Sequence, residues 1–194
     1  MIDELLEIDL DLDYKNLNSP ISETFPLINF IGNNLIGAQL MVWQGEDLLS
    51  LSHNCPNIKH IYGIDEHKPY RKKIFVPDEI IDKRSSKVCN FHTKNNIEFS
   101  CKKNITLIEK NIKEAHEEFK DKSLDFILMT IQTSGEDFRL CFDSWFNKIK
   151  KNGYIIGYNY DSNILQKELK KIKEDYLLSD LYTYKHLWIY KKIK

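Results

Sequence analysis

LIGAQLMVWQGEDLLSLSHNCPNIKHIYGID, residues Leu35 to Asp65, is the stretch whose reading decides the fold. An apolar strand is expected over about Ile36 to Val42, followed by a turn at Gln44-Gly45. Glu46 to His53 then reads as a short amphipathic helix, with its acids in the first turn where the helix dipole favours them. Lys59 to Ile64 is β-rich, bounded by Pro56 and Asp65, and reads as a second strand. Together these form the opening βαβ half of a nucleotide-binding sheet. In such a unit the first turn meets the charged part of a ligand, and the acid ending strand two meets ribose hydroxyls. The turn is poor in glycine, so the signal for fold is stronger than the signal for chemistry.

Working outward, residues 1–19 read as an acidic lead-in that could fold over the site as a lid, and 20–194 as a single domain. Ile21 to Asn33 has apolar residues at helical spacing, with Pro26 arguing against one uninterrupted helix. Residues 67–77, HKPYRKKIFVP, form a basic-aromatic loop, which reads first as a solvated face and second as an anion site. Asp78 to Asn95 is expected to be a helix. Ile105 to Glu109 is strand three and Ile112 to Phe119 a short helix. Leu124 to Thr130 is a nearly continuous apolar run, as befits a strand buried on both faces. Phe138 to Lys150 reads as an amphipathic helix stopped by Lys151-Asn152-Gly153, with Gly153 as its C′ residue. Tyr154 to Tyr158 is strand five, and a Lys-rich helix covers about Ile164 to Lys173. The tail, LYTYKHLWIYKKI, splits at Lys185-His186 into two β-rich runs, a terminal hairpin. Alternating strands and helices followed by a strand pair give an α/β fold, a mostly parallel sheet with one antiparallel edge.

Composition narrows the function classes. The chain has 194 residues, 42% apolar and 29% charged, with a formal charge of -1. That is an ordinary globular balance, and it gives no general support to nucleic-acid or membrane binding. No apolar run approaches the roughly 18 residues of a membrane span. The start, MIDELLEIDLDLDY, lacks the basic region of a signal peptide. Cys55, Cys89, Cys101 and Cys141 form no CxxC pair, which points to buried thiols in a reducing cytoplasm. Oligomeric state stays open, a homo-oligomer included.

The order and spacing of several short pieces resemble those of class I S-adenosylmethionine-dependent methyltransferases, in particular the small-molecule O-methyltransferases. Their "E-x-G-x-x-x-G-E" pattern corresponds to Gln39 through Glu46. Tyr62-Gly63-Ile64-Asp65 follows, then Ile105 to Asn111, Ser123 to Ile127, and Trp145 through Tyr160. The resemblance spans about residues 22–192 and implies a Rossmann-like, seven-stranded, mostly parallel sheet with a C-terminal antiparallel hairpin.

It also implies S-adenosylmethionine as cofactor, with roles for individual residues. Gly45 would let backbone N–H groups approach the methionine portion. Gln39 stands where the family has an acid, keeping an acceptor but losing the charge for the cofactor's ammonium. Met41 replaces the earlier glycine. Asp65 would accept from the ribose hydroxyls, Asn111 would lie near the adenine, and Thr130 would line the cofactor site. The reaction end has changed more. The family's "I-D-G-x-H-S-Y-E" reads Met129 to Glu136 here, and its "G-H-D-Y" reads Gly157-Tyr158-Asn159-Tyr160. A divalent metal needs hard anionic oxygens; Thr130 and Asn159 offer neutral ones, so no metal is expected. Tyr158 and Asn159 are the candidate catalytic residues, with Tyr160, Glu136, Asp137 and Asp161 nearby, although phenols titrate high unless perturbed. The reading is metal-independent methyl transfer to a small molecule, a sugar hydroxyl being one candidate. The alternative is a non-catalytic binding or scaffold protein on the same fold.

Overall fold

A computed structural model describes residues 20–43, 45–66, 94, 97, 104–130 and 136–194. The expected lead-in, the basic-aromatic loop and most of the helix expected over 78–95 lie outside the described residues. A 3-10 turn, Pro20–Thr24, runs into helix α1, Phe25–Phe30, with Pro26 in its first turn, where the missing N–H costs nothing. Strand β1 (Leu35–Leu40), helix α2 (Glu46–Asn54) and strand β2 (Ile58–Ile64) form the βαβ unit read from the sequence. Strands β3 (Ile105–Ile108) and β4 (Leu124–Met129) follow, then helix α3 (Glu136–Phe146), strand β5 (Ile149–Gly157), helix α4 (Asn163–Asp175) and the strands β6 (Tyr182–Tyr184) and β7 (Leu187–Lys191).

The seven strands form one sheet in the order β3-β2-β1-β4-β5-β7-β6. Pairs β1–β2, β1–β4, β2–β3 and β4–β5 are parallel, and β5–β7 and β6–β7 antiparallel. The hairpin turns at Lys185-His186, as expected. Residues of β4 alternate between the two faces. Phe126 and Leu128 join Phe25, Ile28, Leu48 and Leu51 on one side. Ile127 and Met129 join Phe138, Phe142, Trp145, Leu165 and Leu169 on the other. Helices α1 and α2 thus cover one face and α3 and α4 the opposite face, which is why β4 reads as an unbroken apolar run.

Two expectations about local structure are corrected. Helix α3 stops at Phe146, and Ile149 already pairs with Leu124. Gly153 lies inside β5, past a register shift, and is no helix cap. A Cβ there would stand 2.8 Å from the Asp125 carbonyl oxygen and 2.7 Å from Ile149 Cγ2, so glycine serves a close backbone approach. Lys192, 3% exposed, donates to the carbonyls of Phe146 and Ile149 at 3.0 Å each and ties the helix end to the strand start. The helix expected over Ile112 to Phe119 is one 3-10 turn, Ala115–Glu118. Asn111 opens that region as a turn: its Oδ1 accepts from Lys113 N, and its carbonyl from Glu114 N and Ala115 N.

Candidate functional site

The strand order reverses between β1 and β4, whose loops leave the carboxyl edge of the sheet in opposite directions. Such a reversal opens a crevice where open α/β sheets bind ligands. Gln39, Gly45, Asp65, Asn111, Thr130, Tyr158 and Asn159 lie at this edge, because each sits at a strand end or in the loop after one.

The loop after β1 is held from two sides. Met41 N donates to Ile64 O at 2.8 Å, and Trp43 N donates to Asp65 Oδ2 at 2.8 Å. Asp65 is 2% exposed, so the acid ending β2 secures the loop by a charge-assisted bond. Thr130 Oγ1 lies within hydrogen-bonding reach of both the Leu40 and Met41 carbonyls. Its single proton serves one at a time, and it ties the end of β4 to the same loop.

Left-handed backbone recurs through this loop. Met41 has φ 67, Trp43 φ 56 and Gly45 φ 81. The family pattern places glycine at the first of these positions, and this chain keeps the conformation without the glycine. Gly45 N donates to Val42 O at 3.0 Å, and Gly45 O accepts from Leu49 N, so the glycine turns the chain directly into α2. Trp43 is 57% exposed.

Gln39 is 1% exposed, and its Oε1 is enclosed with no hydrogen-bond partner among the described residues. Neighbouring Ala38 and Leu40 pack with α3 and α4, so alternation sends Gln39 to the face covered by α1 and α2. Asn111 Nδ2 donates to Glu66 Oε1 at 3.1 Å, which places the Asn111 amide against the end of β2.

Tyr158 and Asn159 part company. Asn159, at φ 63, is exposed; its carbonyl accepts from Ser162 N and turns the chain toward α4. Tyr158 packs against the α1/α2 side, and its hydroxyl is enclosed without a hydrogen-bond partner among the described residues. Burial first, then the charges of Asp47 and Glu23, push the phenol well above its usual range. Thr24 stands nearby, but its hydroxyl donates to Ile21 O at 2.6 Å, and its approach to Tyr158 falls short of hydrogen-bond geometry. That perturbation runs opposite to what a base needs and favours a protonated donor.

Of the other candidate bases, Asp137 pairs with Lys113 at 2.5 Å. Asp161 Oδ2 lies 2.5 Å from His186 Nδ1, where Asp161 raises the imidazole pKa. Glu23, Thr24 and His186 went unread as candidate site residues because the fold brings them to Tyr158 and Asp161 from far along the chain, and Asp47 because it reads simply as a first-turn helix acid. Among the described residues no three His, Cys, Asp or Glu side chains converge as metal ligands. No described helix is long and apolar enough to cross a membrane. Cys55 and Cys141 are buried, and burial pushes both thiols up to about 12.

No family model and no curated protein matches the sequence. Solved structures do match in shape. An S-adenosylmethionine-dependent O-methyltransferase from Thermotoga maritima superposes with a TM-score of 0.64 at 12% identity, over 98% of this chain and 71% of its own. A Streptococcus mutans protein described as a methyltransferase, solved with S-adenosylhomocysteine (SAH), gives 0.60 at 14%, over 91% and 99%. An rRNA methylase from Streptococcus thermophilus gives 0.60 at 11%, over 92% and 99%. Strand order, the antiparallel closing pair and these superpositions agree: the chain has the Rossmann-like class I methyltransferase fold.

Proposed function

We propose that the protein is an S-adenosylmethionine-dependent methyltransferase acting on a small molecule, without a metal and without nucleic acid or a membrane as partner. The observation that carries this reading is the convergence of the Gly45 turn, Asp65 and Thr130 on the crevice between β1 and β4. One structure of similar shape was solved with SAH, which adds support for the cofactor.

The residues fit such a ligand in part. The left-handed turn at Gly45 brings backbone close to the crevice without a Cβ in the way. Asp65 would accept from the ribose, Asn111 and Glu66 would border the base, and Thr130 would line the crevice. Gln39 Oε1, enclosed and unbonded, is an acceptor awaiting a donor. The bound cofactor would supply an electrophilic methyl on a sulfonium. The chain's own contribution is then to hold the acceptor in line and exclude water, which by itself gives large accelerations. Tyr158, kept protonated, would donate a hydrogen bond to the acceptor. An oxygen acceptor, such as a sugar hydroxyl, is the class the resemblance favours.

The second reading is a non-catalytic descendant, favoured by Asp65 being buried and engaged with Trp43 N. Calorimetric titration with S-adenosylmethionine and SAH separates the two. Micromolar binding supports the enzyme reading, and no binding near millimolar concentration of either refutes it.

A further inference from the structure

The strand order makes the two halves of the carboxyl edge unequal. Asp65 follows β2 and Asn111 follows β3, so a nucleoside held by them lies over β1, β2 and β3. A methyl acceptor is left the other half, over β4, β5 and the β6–β7 hairpin. Neighbouring strands lie about 4.8 Å apart, so β7 stands roughly 10 Å from β4, about the length of a small acceptor. On that half two loops meet. Tyr160 N donates to His186 O at 3.0 Å, which pins the hairpin turn to the loop after β5. Trp188 Nε1 donates to Tyr158 O at 3.1 Å and ties the same two elements where β5 leaves the sheet. Asp161, in that loop, places Oδ2 2.5 Å from His186 Nδ1. A carboxylate only accepts, so in the neutral imidazole Nδ1 carries the proton and Nε2 keeps a lone pair.

We infer that His186, oriented by Asp161, is the general base that takes the proton from a hydroxyl acceptor, an assignment that rests on the methyltransferase reading. The step balances with S-adenosylmethionine as methyl donor. The acceptor oxygen bonds to the methyl carbon, the carbon–sulfur bond breaks with its electron pair on sulfur, and the hydroxyl proton passes to His186 Nε2. Sulfur loses its positive charge while the imidazole gains one, beside the Asp161 carboxylate. Both side chains of the pair are exposed, so the ring can return the proton to water. Three charged groups act on the ring: Asp161 most strongly and Glu23 hold the proton on it, and Lys185 opposes them. The balance is upward from a value just below neutral, the range in which a base works best. Tyr158, held protonated, is suited to donate to the acceptor and not to take its proton.

The test follows the His186 ring protons by NMR in the SAH-saturated protein, assigned by their loss in His186→Gln. Methyl α-D-glucopyranoside and catechol are titrated in as sugar and aryl hydroxyl probes. A saturable shift of the His186 signals with either probe supports the inference. No shift with both overturns it, and SAH binding then keeps the methyltransferase reading in place. The probe that binds next serves as acceptor for labelled methyl transfer from S-adenosylmethionine. The wild-type rate should rise with pH along the NMR titration of His186. His186→Gln should lower kcat by about 10²-fold or more, leave KM nearly unchanged and lose that pH limb. Asp161→Asn should move the limb to lower pH together with the His186 titration, a displacement that a merely structural pair would not produce. No transfer to a bound probe by the wild type, full transfer by His186→Gln, or a limb indifferent to Asp161→Asn each overturns the inference. If SAH does not bind, the methyltransferase reading fails and the inference falls with it.

Discussion

Asp65 is proposed to meet a ligand, yet the structure has it securing a loop, and the two roles separate in Asp65→Asn and Asp65→Ala. Its Oδ2 accepts from Trp43 N at 2.8 Å in a position 2% exposed. A hydrogen bond to a charged group contributes about 1.5–3 kcal/mol and a neutral one about 0.5–1.5. Alanine removes the acceptor and strands the N–H, for an expected loss of about 2–3 kcal/mol. Asparagine keeps an acceptor of nearly the same shape and loses the charge, for about 1 kcal/mol. In a chain of this length each kcal/mol moves Tm by about 2–4 °C, so alanine should lower it by about 4–12 °C and asparagine by about 2–4 °C. Thermal unfolding followed by circular dichroism measures both. An alanine variant within about 0.5 kcal/mol of wild type, the range of an inert surface change, refutes the loop role. Equal losses in the two variants show that charge, and not the acceptor, was what mattered. SAH titration of Asp65→Asn supplies the other half. A tenfold weaker affinity with Tm nearly kept would mean the carboxylate also serves the ligand, and unchanged affinity would confine it to the loop.

Three further outcomes are expected. Met41→Gly removes a left-handed cost of about 1–2 kcal/mol and adds about 0.5–1 of glycine chain entropy plus some lost packing, so stability should stay within about 1 kcal/mol. SAH binding should strengthen, most of all when combined with Gln39→Glu, and a loss above about 3 kcal/mol in urea melts would show that the Met41 side chain is structural. His186 should titrate above an ordinary histidine by NMR, and Asp161→Asn should bring it back. Because the pairing raises the folded pKa, its stabilising contribution is complete below about pH 6.5 and lost as pH rises through the raised value; an unshifted His186 sinks the pairing. Gly157→Ala puts a Cβ 2.2 Å from the Trp188 ring, and since that ring is buried in the core the variant should lose about 1–3 kcal/mol in urea melts; no loss would mean the ring yields freely.

Much of the fold was legible because its signals are local. The apolar run of β4 announces burial on two faces, and Lys185-His186 splits two β-rich runs at the point where the hairpin turns. The boundary between α3 and β5 was misread because Gly153 next to Asn152 mimics a helix stop. Its actual reason is the Asp125 backbone, which sits against it from another strand. The same limit applies to the site. Asp65, Gly45 and Thr130 follow strands and were placed by counting from them. Glu23 and His186 have no such marker, because what makes them candidates is the proximity of Tyr158 and Asp161 in space.

The loop after β1 explains how this turn forms without the glycine that the resemblance expects at position 41. A parallel β1 and β2 joined by α2 require the chain to reverse within a few residues of Leu40. That path passes through left-handed backbone at Met41, Trp43 and Gly45. A left-handed methionine and tryptophan cost on the order of 1–2 kcal/mol each. Bonds from Met41 N to Ile64 O and from Trp43 N to Asp65 Oδ2, with Thr130 bracing the loop from β4, offset that cost. The glycine can therefore be lost without the turn being lost. The acid at Gln39 has a different history to explain, since nothing in the turn depends on it. Its absence leaves an enclosed acceptor without a hydrogen-bond partner among the described residues, on the face of the sheet that α1 and α2 cover. Restoring an acid at position 39 while Glu23 and Asp47 remain would crowd three carboxylates onto one face. Gln39→Glu should accordingly strengthen SAH binding more in a Glu23→Gln background than in the wild type, and a gain that is the same in both backgrounds would show that the two positions do not share a ligand group.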